Sequence, residues 1–135
     1  YLYALKEIFP PLAREFKPDI ILANGGSDAH FADHLGSLGL TAKGFFKIAQ
    51  LISEVSDEVC SGKAMLLVAS GYNTLVLPYC WYALIAGIAD LNVTEMDIED
   101  RYPALPNPQQ NREKVIRVVK ELKEILSSYW SCFRE

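Results

Sequence analysis

The chain has 135 residues, of which half are apolar and 22% are charged. This composition is typical of a folded globular protein and excludes a disordered chain, and the length fits one domain or a large piece of one. The net charge of −4 excludes the clustered positive charge with which proteins bind phosphate backbones, so we expect no direct nucleic-acid partner.

The three cysteines, Cys60, Cys80 and Cys132, are widely spaced and form no Cys-x-x-Cys pair. An odd number of cysteines in this arrangement supports neither a disulfide framework nor a thiolate zinc site. The sequence therefore predicts a protein of the reducing cytoplasm.

The segment from Leu75 to Ala89 is almost wholly apolar and could be mistaken for a membrane span. It has only 15 residues, whereas a helix that crosses a bilayer needs about 20. Pro78 also interrupts it. We predict a helix that is buried on all sides in a large α/β core, and no membrane partner.

The N-terminal segment has apolar residues at helical spacing from Leu2 to Phe16. Pro10 and Pro11 are expected to kink or restart this helix, because an interior proline lacks its N–H and clashes with the preceding turn. Lys17-Pro18 is expected to end it. The short apolar run Asp19–Asn24 then predicts a strand that is buried on both faces, as in a parallel sheet.

A second helix and a second strand repeat this order. Thr41 is the predicted N-cap of the helix, and Ser61-Gly62 is its stop signal. The apolar run Ala64–Ala69 is the next predicted strand, and a helix from about Val76 to Ala89 follows it. The alternation of helices and strands predicts an α/β domain with parallel strands.

The last part of the chain changes character. The stretch from Asp90 to Pro108 is rich in acidic residues and prolines, which predicts an excursion over the surface. Asn107 as a cap and Pro108 at the first position are expected to open a final amphipathic helix. We find no internal repeat and no sign of a second domain.

Two glycine-containing loops, Gly25–Leu40 and Ser70–Thr74, follow the predicted strands. Ligands of parallel α/β sheets bind outside the carboxyl ends of the strands, so these loops form the expected site. Two acids and the two histidines of the chain lie in the first loop: Asp28, His30, Asp33 and His34. Imidazole and carboxylate groups suit zinc or another transition metal.

The same residues also fit structural roles. Asp28 could cap backbone N–H groups of its own loop, and His30 and His34 could be surface or supporting residues. The segment Gly71–Asn73 could be an ordinary turn with a packed aromatic side chain. Nucleotide binding is disfavoured, because the spacing of the glycines matches neither the dinucleotide-binding nor the P-loop pattern and an aspartate there would repel phosphate.

Residues 18–41 read PDIILANGGSDAHFADHLGSLGLT and resemble a hallmark of the histone deacetylase superfamily, which includes acetoin-utilisation proteins and acetylpolyamine amidohydrolases. That family has a proline and a strand, then Gly-Phe-Asp-Ala-His, Asp-Pro-Leu-Gly and a Leu-Thr that opens a helix. About a strand and a helix later it has Gly-Gly-Tyr-Asn, which is matched here by residues 70–73. The order and separation of the two motifs agree, and the resemblance covers roughly residues 8–90.

The resemblance implies a parallel-sheet, three-layer α/β fold of the arginase/deacetylase type, of which residues 1–135 would be the C-terminal portion. It implies that Asp28 is one of three protein ligands of Zn²⁺ and that Tyr72 is the catalytic hydroxyl that hydrogen-bonds the acyl oxygen. Leu35 would lie at the rim of the tunnel that takes the acylated side chain, and Ser70 and Gly71 would form its floor. In this chemistry zinc activates water and polarises the amide carbonyl, while the phenol stabilises the oxyanion.

The chain departs from the family pattern at three positions. Ser27 stands where an aromatic residue is usual, His34 where a proline is usual, and Ser70 where a glycine is usual. His30 matches a common family residue that does not bind the metal. The paired histidines and the two other zinc ligands of the family lie upstream in that family and have no counterpart here. We therefore expect a C-terminal fragment that is inactive alone and that needs a missing N-terminal half or self-association.

Two functions follow from these considerations. The first is zinc-dependent hydrolysis of acetyl-lysine or of a small acetylated amine by the complete protein. The second is a non-catalytic α/β module, derived from the same family and retained for binding or assembly. An upstream His-His and Asp-x-His would favour the enzyme.

Overall fold

The computed structural model describes residues 1–36, 38–94, 98–100 and 111–134. Over these ranges the chain forms four helices and two strands. Their bounds are α1 Leu2–Phe16, β1 Ile21–Gly26, α2 Ala42–Cys60, β2 Ala64–Ser70, α3 Leu77–Ile88 and α4 Arg112–Leu126. The predicted order is confirmed, although β1 begins two residues later than the sequence indicated. The predicted helix start at Asn107-Pro108 lies outside the described residues.

The first helix shows which of the two expected effects of its prolines is absent. α1 continues through Pro10 and Pro11 as one helix and does not restart there. The two missing N–H groups leave the carbonyls of Lys6 and Glu7 without their helical donors, which opposes a continuous helix. Burial of Pro10 in the packed face of the helix favours it. The helix ends as predicted, because Lys17 takes a left-handed conformation with φ 53° and its N–H bonds back to the last turn.

The second helix begins and ends where the sequence signals stand. The Thr41 hydroxyl accepts a hydrogen bond from the Gly44 N–H at 3.1 Å, which makes Thr41 the N-cap. At the other end Ser61 and Gly62 have φ values of 56° and 75°, in the left-handed region that stops a helix. α2 therefore forms the helical part of the connection between the two strands, after the loop that leaves β1.

The two strands pair in parallel, in a register that runs from Ile21 opposite Ala64 to Gly26 opposite Ser70. A bulge between Gly25 and Gly26 shifts the register at the carboxyl end of β1. The parallel pairing confirms the predicted α/β class. It also places both strand ends, and the loops that leave them, at one edge of the sheet.

Two apolar clusters hold the helices against one face of the sheet. Ile21 packs with residues of α1 and α2, including Ala13 and Val55. The second and larger cluster joins α2 to α3, with Phe45 and Cys80 among its buried members. The predicted helix within the long hydrophobic run is confirmed as α3, which packs against α2. The prediction that this helix is buried on all sides is wrong, because Tyr82 and Ile85 are 42% and 50% exposed.

The prediction that the first strand is buried on both faces is wrong for this chain. Burial alternates along both strands, and Leu22, Met65 and Leu67 are exposed at 64%, 52% and 50%. Leu22 pairs with Met65 in the register, so these side chains share one face. Within the described ranges the helices cover only the opposite face, and an apolar sheet face is left in contact with solvent.

The C-terminal helix is attached to the N-terminal one. Lys123 of α4 forms an ion pair with Glu7 of α1. The Glu15 carboxylate accepts hydrogen bonds from the N–H groups of Ser131 and Cys132, in a single 3-10 turn after α4. The C-terminal part of the described chain is therefore held against α1.

Candidate functional site

The candidate site is the pair of loops at the carboxyl ends of β1 and β2. Gly26 and Ser70 are partners at the last position of the register. The first loop opens with a single 3-10 turn over Ser27–Ala29, and the second passes through Gly71 into α3. The sequence predicted that these loops meet, and the pairing of the strands brings them together.

Asp28 lies in the 3-10 turn and is half-buried. Its Oδ1 accepts a hydrogen bond from the Ser70 hydroxyl at 3.1 Å. The capping role that the sequence left open would have come from N–H groups of its own loop, whereas this donor is a side chain of the other loop. The Asp28 carboxylate thus faces the second loop and is hydrogen-bonded to it.

The two serines that depart from the family pattern lie beside each other. Ser27 is fully buried, and its hydroxyl donates to the Ser70 carbonyl oxygen at 3.5 Å. The indole N–H of Trp81 reaches the same oxygen at 3.4 Å. Gly71 has φ 147°, and a Cβ on it would stand 1.9 Å from the Ser27 hydroxyl oxygen. Position 71 therefore admits only glycine while Ser27 occupies the space below it.

Tyr72 and Leu35 both project from the loops toward solvent. Tyr72 is 55% exposed and Leu35 is 71% exposed. The backbone of Tyr72 is held firmly, since its N–H donates to Asp33 Oδ2 at 2.8 Å. The structure therefore presents the phenol and the leucine at the surface of the same loop pair, where a ligand could reach both.

Asp33, one of the four groups that the sequence offered as metal-binding, has a different role in the structure. Its carboxylate is buried and accepts four backbone hydrogen bonds, two from each loop. The donors are the N–H groups of Leu35, Gly36, Tyr72 and Asn73. Burial alone would raise the pKa of Asp33, but these four bonds lower it to about 2. The sequence carried a weak signal for the two local bonds, because an aspartate side chain often accepts from the N–H groups two and three residues further along, as in an Asx turn.

Asn73 adds a second connection between the loops. Its side-chain amide donates to the Ala32 carbonyl at 2.7 Å, and its side-chain oxygen accepts from the Leu75 N–H at 3.0 Å. The first bond crosses between the loops, and the second turns the chain into α3. Asn73 is itself buried, so the two loops form one hydrogen-bonded unit beneath the exposed phenol.

His30 has a supporting role in the loop. The ring is buried, and its Nδ1 accepts from the Ala32 N–H at 3.1 Å. The proton therefore lies on Nε2, which donates to Asp100 Oδ1 at 2.6 Å. Asp100 also accepts from the Ala42 N–H at the start of α2. Both ring nitrogens are occupied by protein groups. His34 is exposed.

The described residues do not by themselves complete a zinc site. Among them, no group of three or more His, Cys, Asp and Glu side chains is close enough to hold a metal ion. Structural and catalytic zinc sites use three or four protein ligands. Asp28 is the one residue of these loops that the family resemblance assigns to the metal, so the part of the chain that the structure describes does not fit the ion alone.

Comparison with known proteins gives this fold its family. The parallel strands, with two hydrogen-bonded loops at their carboxyl ends, define an α/β protein with a site at the edge of its sheet. The family model of the histone deacetylase domain matches residues 1–88, more than half of the sequence. The chain belongs to the histone deacetylase domain family.

Individual relatives agree with this assignment. A probable deacetylase of Archaeoglobus fulgidus is 29% identical over 99% of this chain. Histone deacetylase HDA1 of Saccharomyces cerevisiae is 27% identical over the same share. The solved structure of the histone deacetylase Clr3 matches 99% of this chain with a TM-score of 0.75 and 25% identity. The HD domain of HDA15 has the same fold, with a TM-score of 0.72 over 98% of the chain.

The matched relatives are much longer than the chain. The alignment covers 38% of the Archaeoglobus protein and 17% of HDA1. The corresponding shares of the two solved chains are 20% for Clr3 and 32% for HDA15. The chain thus corresponds to part of a deacetylase-like α/β fold.

None of the helices in the described ranges is both long enough and apolar enough to cross a membrane. α3, the most apolar helix, has 12 residues.

Proposed function

We propose that this chain supplies part of the catalytic site of a deacetylase that hydrolyses acetyl-lysine or a small acetylated amine. Membership of the family supports the reaction class. The observation that carries the proposal is the joining of the two loops, because Ser70 of one loop bonds Asp28 of the other and Asp33 binds both. Two residues with complementary roles in amide hydrolysis therefore belong to one structural unit.

Tyr72 is the proposed oxyanion donor. When water adds to an amide carbonyl, negative charge grows on the oxygen, and a fixed hydroxyl donor stabilises that charge by about 3 kcal/mol. The phenol is exposed at the loop surface while its backbone is fixed by Asp33. The Tyr72 hydroxyl is thus accessible to a substrate, while the backbone that carries the side chain is fixed. A preorganised donor needs both properties.

The residues around Tyr72 are the proposed substrate contacts. Leu35 offers an exposed apolar side chain that would line the entrance for the aliphatic stem of the acylated side chain. Gly71 permits close approach of the backbone, and Ser70 narrows the floor by one hydroxymethyl group relative to the glycine usual in the family. Ser70 therefore favours a short acyl group.

Zn²⁺ is the proposed cofactor of the complete protein, with Asp28 as one ligand. The carboxylate is half-buried at a strand end, and Oδ1 carries the Ser70 bond. Because the described residues provide one ligand of this kind, the others would come from outside them. The 135-residue chain is accordingly proposed to be inactive alone and to require either an N-terminal half or a second copy. A cytoplasmic location stays a prediction, supported by three free cysteines.

The experiment compares the 135-residue chain with the natural full-length gene product. Release of acetate from an acetyl-lysine peptide and from an acetylated diamine is measured with and without a zinc chelator. Activity in the full-length protein, lost on chelation and restored by zinc, supports the proposal. A full-length protein that contains zinc yet hydrolyses neither substrate would favour the alternative, a non-catalytic binding or assembly module.

A further inference from the structure

Tyr72 is exposed, but the chain around it is not free. The residue is 55% exposed, so packing fixes only part of it. The direction in which the ring leaves the surface is set by the backbone at residues 71–73. That backbone is held from below by Asp33, whose Oδ2 accepts from the N–H groups of Tyr72 and Asn73 at 2.8 and 3.1 Å.

The same carboxylate also fixes the loop that carries Asp28. Asp33 Oδ1 accepts from the N–H groups of Leu35 and Gly36 at 2.9 and 3.2 Å. A Cβ on Gly36 would stand 1.3 Å from the Asp28 carbonyl oxygen, so the bend at Gly36 brings the chain directly against Asp28. One oxygen of Asp33 therefore serves each loop, and moving this carboxylate would move both.

The chemistry of the group suits this task. A carboxylate has about four acceptor positions, and hydrogen bonds to an ionised acceptor are roughly twice as strong as neutral ones. An asparagine of the same shape has only one acceptor oxygen, and its NH₂ group would face two N–H donors. No neutral side chain of this size could bind all four donors.

We propose that Asp33 is a positioning residue for the reaction, a buried carboxylate that fixes Tyr72 relative to Asp28 by binding the backbones of both loops. This inference rests on the proposed role of Tyr72 as oxyanion donor. Asp33 itself contacts no substrate, since its two oxygens are turned to backbone N–H groups. Its effect reaches the reaction through the position of the phenol, where displacement by about 1 Å can cost on the order of 100-fold in rate.

The test is a double-mutant cycle in the natural full-length protein. Asp33→Asn, Tyr72→Phe and the double variant are compared with the wild type by kcat and KM on an acetyl-lysine peptide. We expect Asp33→Asn to lower kcat by about 10- to 100-fold with KM changed by less than about twofold. In the Tyr72→Phe background the same change should cost less than about threefold, because the phenol through which Asp33 acts is already absent.

Val55→Ala is the matched control for lost stability. Val55 is buried in the cluster between α1 and α2 and contributes to the fold without joining the loops. We expect this variant to lower Tm while kcat changes by less than about twofold in both backgrounds. A loss that arises from the fold alone would instead multiply equally in the two backgrounds.

The outcomes separate the two proposals. Near-normal activity of Tyr72→Phe would overturn the proposed function. An impaired Tyr72→Phe together with equal losses from Asp33→Asn in both backgrounds would overturn the inference alone. Amide hydrogen exchange of the wild type gives an independent measurement should Asp33→Asn not fold. The N–H groups of Tyr72 and Asn73 should be protected, and exchange as fast as in an unstructured peptide would also overturn the inference.

Discussion

The Ser70 hydroxyl donates a hydrogen bond to Oδ1 of Asp28 at 3.1 Å, across the two loops at the strand ends. The glycine that is usual at this position in the family could not make this bond. The Ser70 side chain therefore hydrogen-bonds Asp28, the proposed metal ligand, while Ser70 itself is part of the proposed tunnel floor. A hydrogen bond to a carboxylate stabilises by about 1.5–3 kcal/mol, so the serine restrains Asp28 as well as narrowing the site.

Replacing Ser70 should change acyl-chain preference. We expect Ser70→Gly to raise the ratio of kcat/KM for a butyryl-lysine peptide to that for an acetyl-lysine peptide by about tenfold, because the space of one hydroxymethyl group is opened. Ser70→Ala is the matched control, since it removes the hydrogen bond to Asp28 but keeps the Cβ. Its ratio should rise less. An unchanged ratio in Ser70→Gly would remove Ser70 from the tunnel floor.

Asp28→Asn tests the metal ligand. An amide oxygen is neutral and binds zinc far more weakly than a carboxylate. We expect the zinc content of the purified full-length protein, measured by elemental analysis, to fall well below that of the wild type. Asp19→Asn makes the same chemical change at an exposed residue before β1 and should keep its zinc. Equal zinc content in wild type and Asp28→Asn would contradict the assignment.

Tyr72→Phe tests the oxyanion donor. Removing one such donor typically lowers kcat by about 100- to 1,000-fold. We expect that loss in the full-length protein with unchanged zinc content, since the phenol is proposed to contact the substrate rather than the metal site. Tyr82→Phe, on the exposed side of α3, is the control and should leave turnover unchanged. Turnover of Tyr72→Phe close to that of the wild type would end the assignment.

Local signals in the sequence predicted the frame of the site well. Thr41 and Ser61-Gly62 fixed the bounds of α2, because caps and left-handed stops act within a few residues. The parallel pairing followed from the alternation of elements, and it placed both loops at one edge. The sequence did not decide whether α1 restarts at Pro10 and Pro11 or continues through them, because local sequence does not report how a helix face is packed.

The contacts between the loops could not be predicted in the same way. Asp33 binds N–H groups 39 and 40 positions away, at Tyr72 and Asn73, and nothing near Asp33 in the sequence identifies those donors. The role of His30 likewise depends on a distant residue, because its Nε2 bonds Asp100, 70 positions away. Buried polar groups take their partners from the fold, and their roles can be read only when the fold is known.

The exposed sheet face should make the 135-residue chain self-associate. Leu22, Met65 and Leu67 share this face, and full burial of such a side chain is worth about 1.5–3 kcal/mol. We expect sedimentation at high concentration to show species larger than the 15.1 kDa chain, and Leu67→Glu to shift them toward monomer. Ile125→Glu, at an exposed apolar residue of α4, should not. A clean monomer of the unmodified chain would contradict this prediction.

The Asp33 carboxylate should also give the fold an acid-sensitive component. Its pKa is lowered from 3.8 to about 2, because the four N–H bonds outweigh the opposing effect of burial. In the unfolded chain this group binds its proton near pH 4. The stabilisation is therefore fully present above about pH 4 and is lost as the pH falls from about 4 to about 2.

Urea unfolding of wild type and Asp33→Asn at about pH 6, 4 and 3, followed by tryptophan fluorescence, measures this effect. The wild type should have the larger free energy of unfolding at the highest pH, and its advantage should shrink as the pH falls, because the amide of the variant does not titrate. The backbone N–H groups of Ser131 and Cys132 lower the pKa of Glu15 to about 2 as well, but Glu15 is present in both proteins and cancels in the difference. A difference that stays constant over this pH range would show that the four hydrogen bonds do not depend on the charge of Asp33.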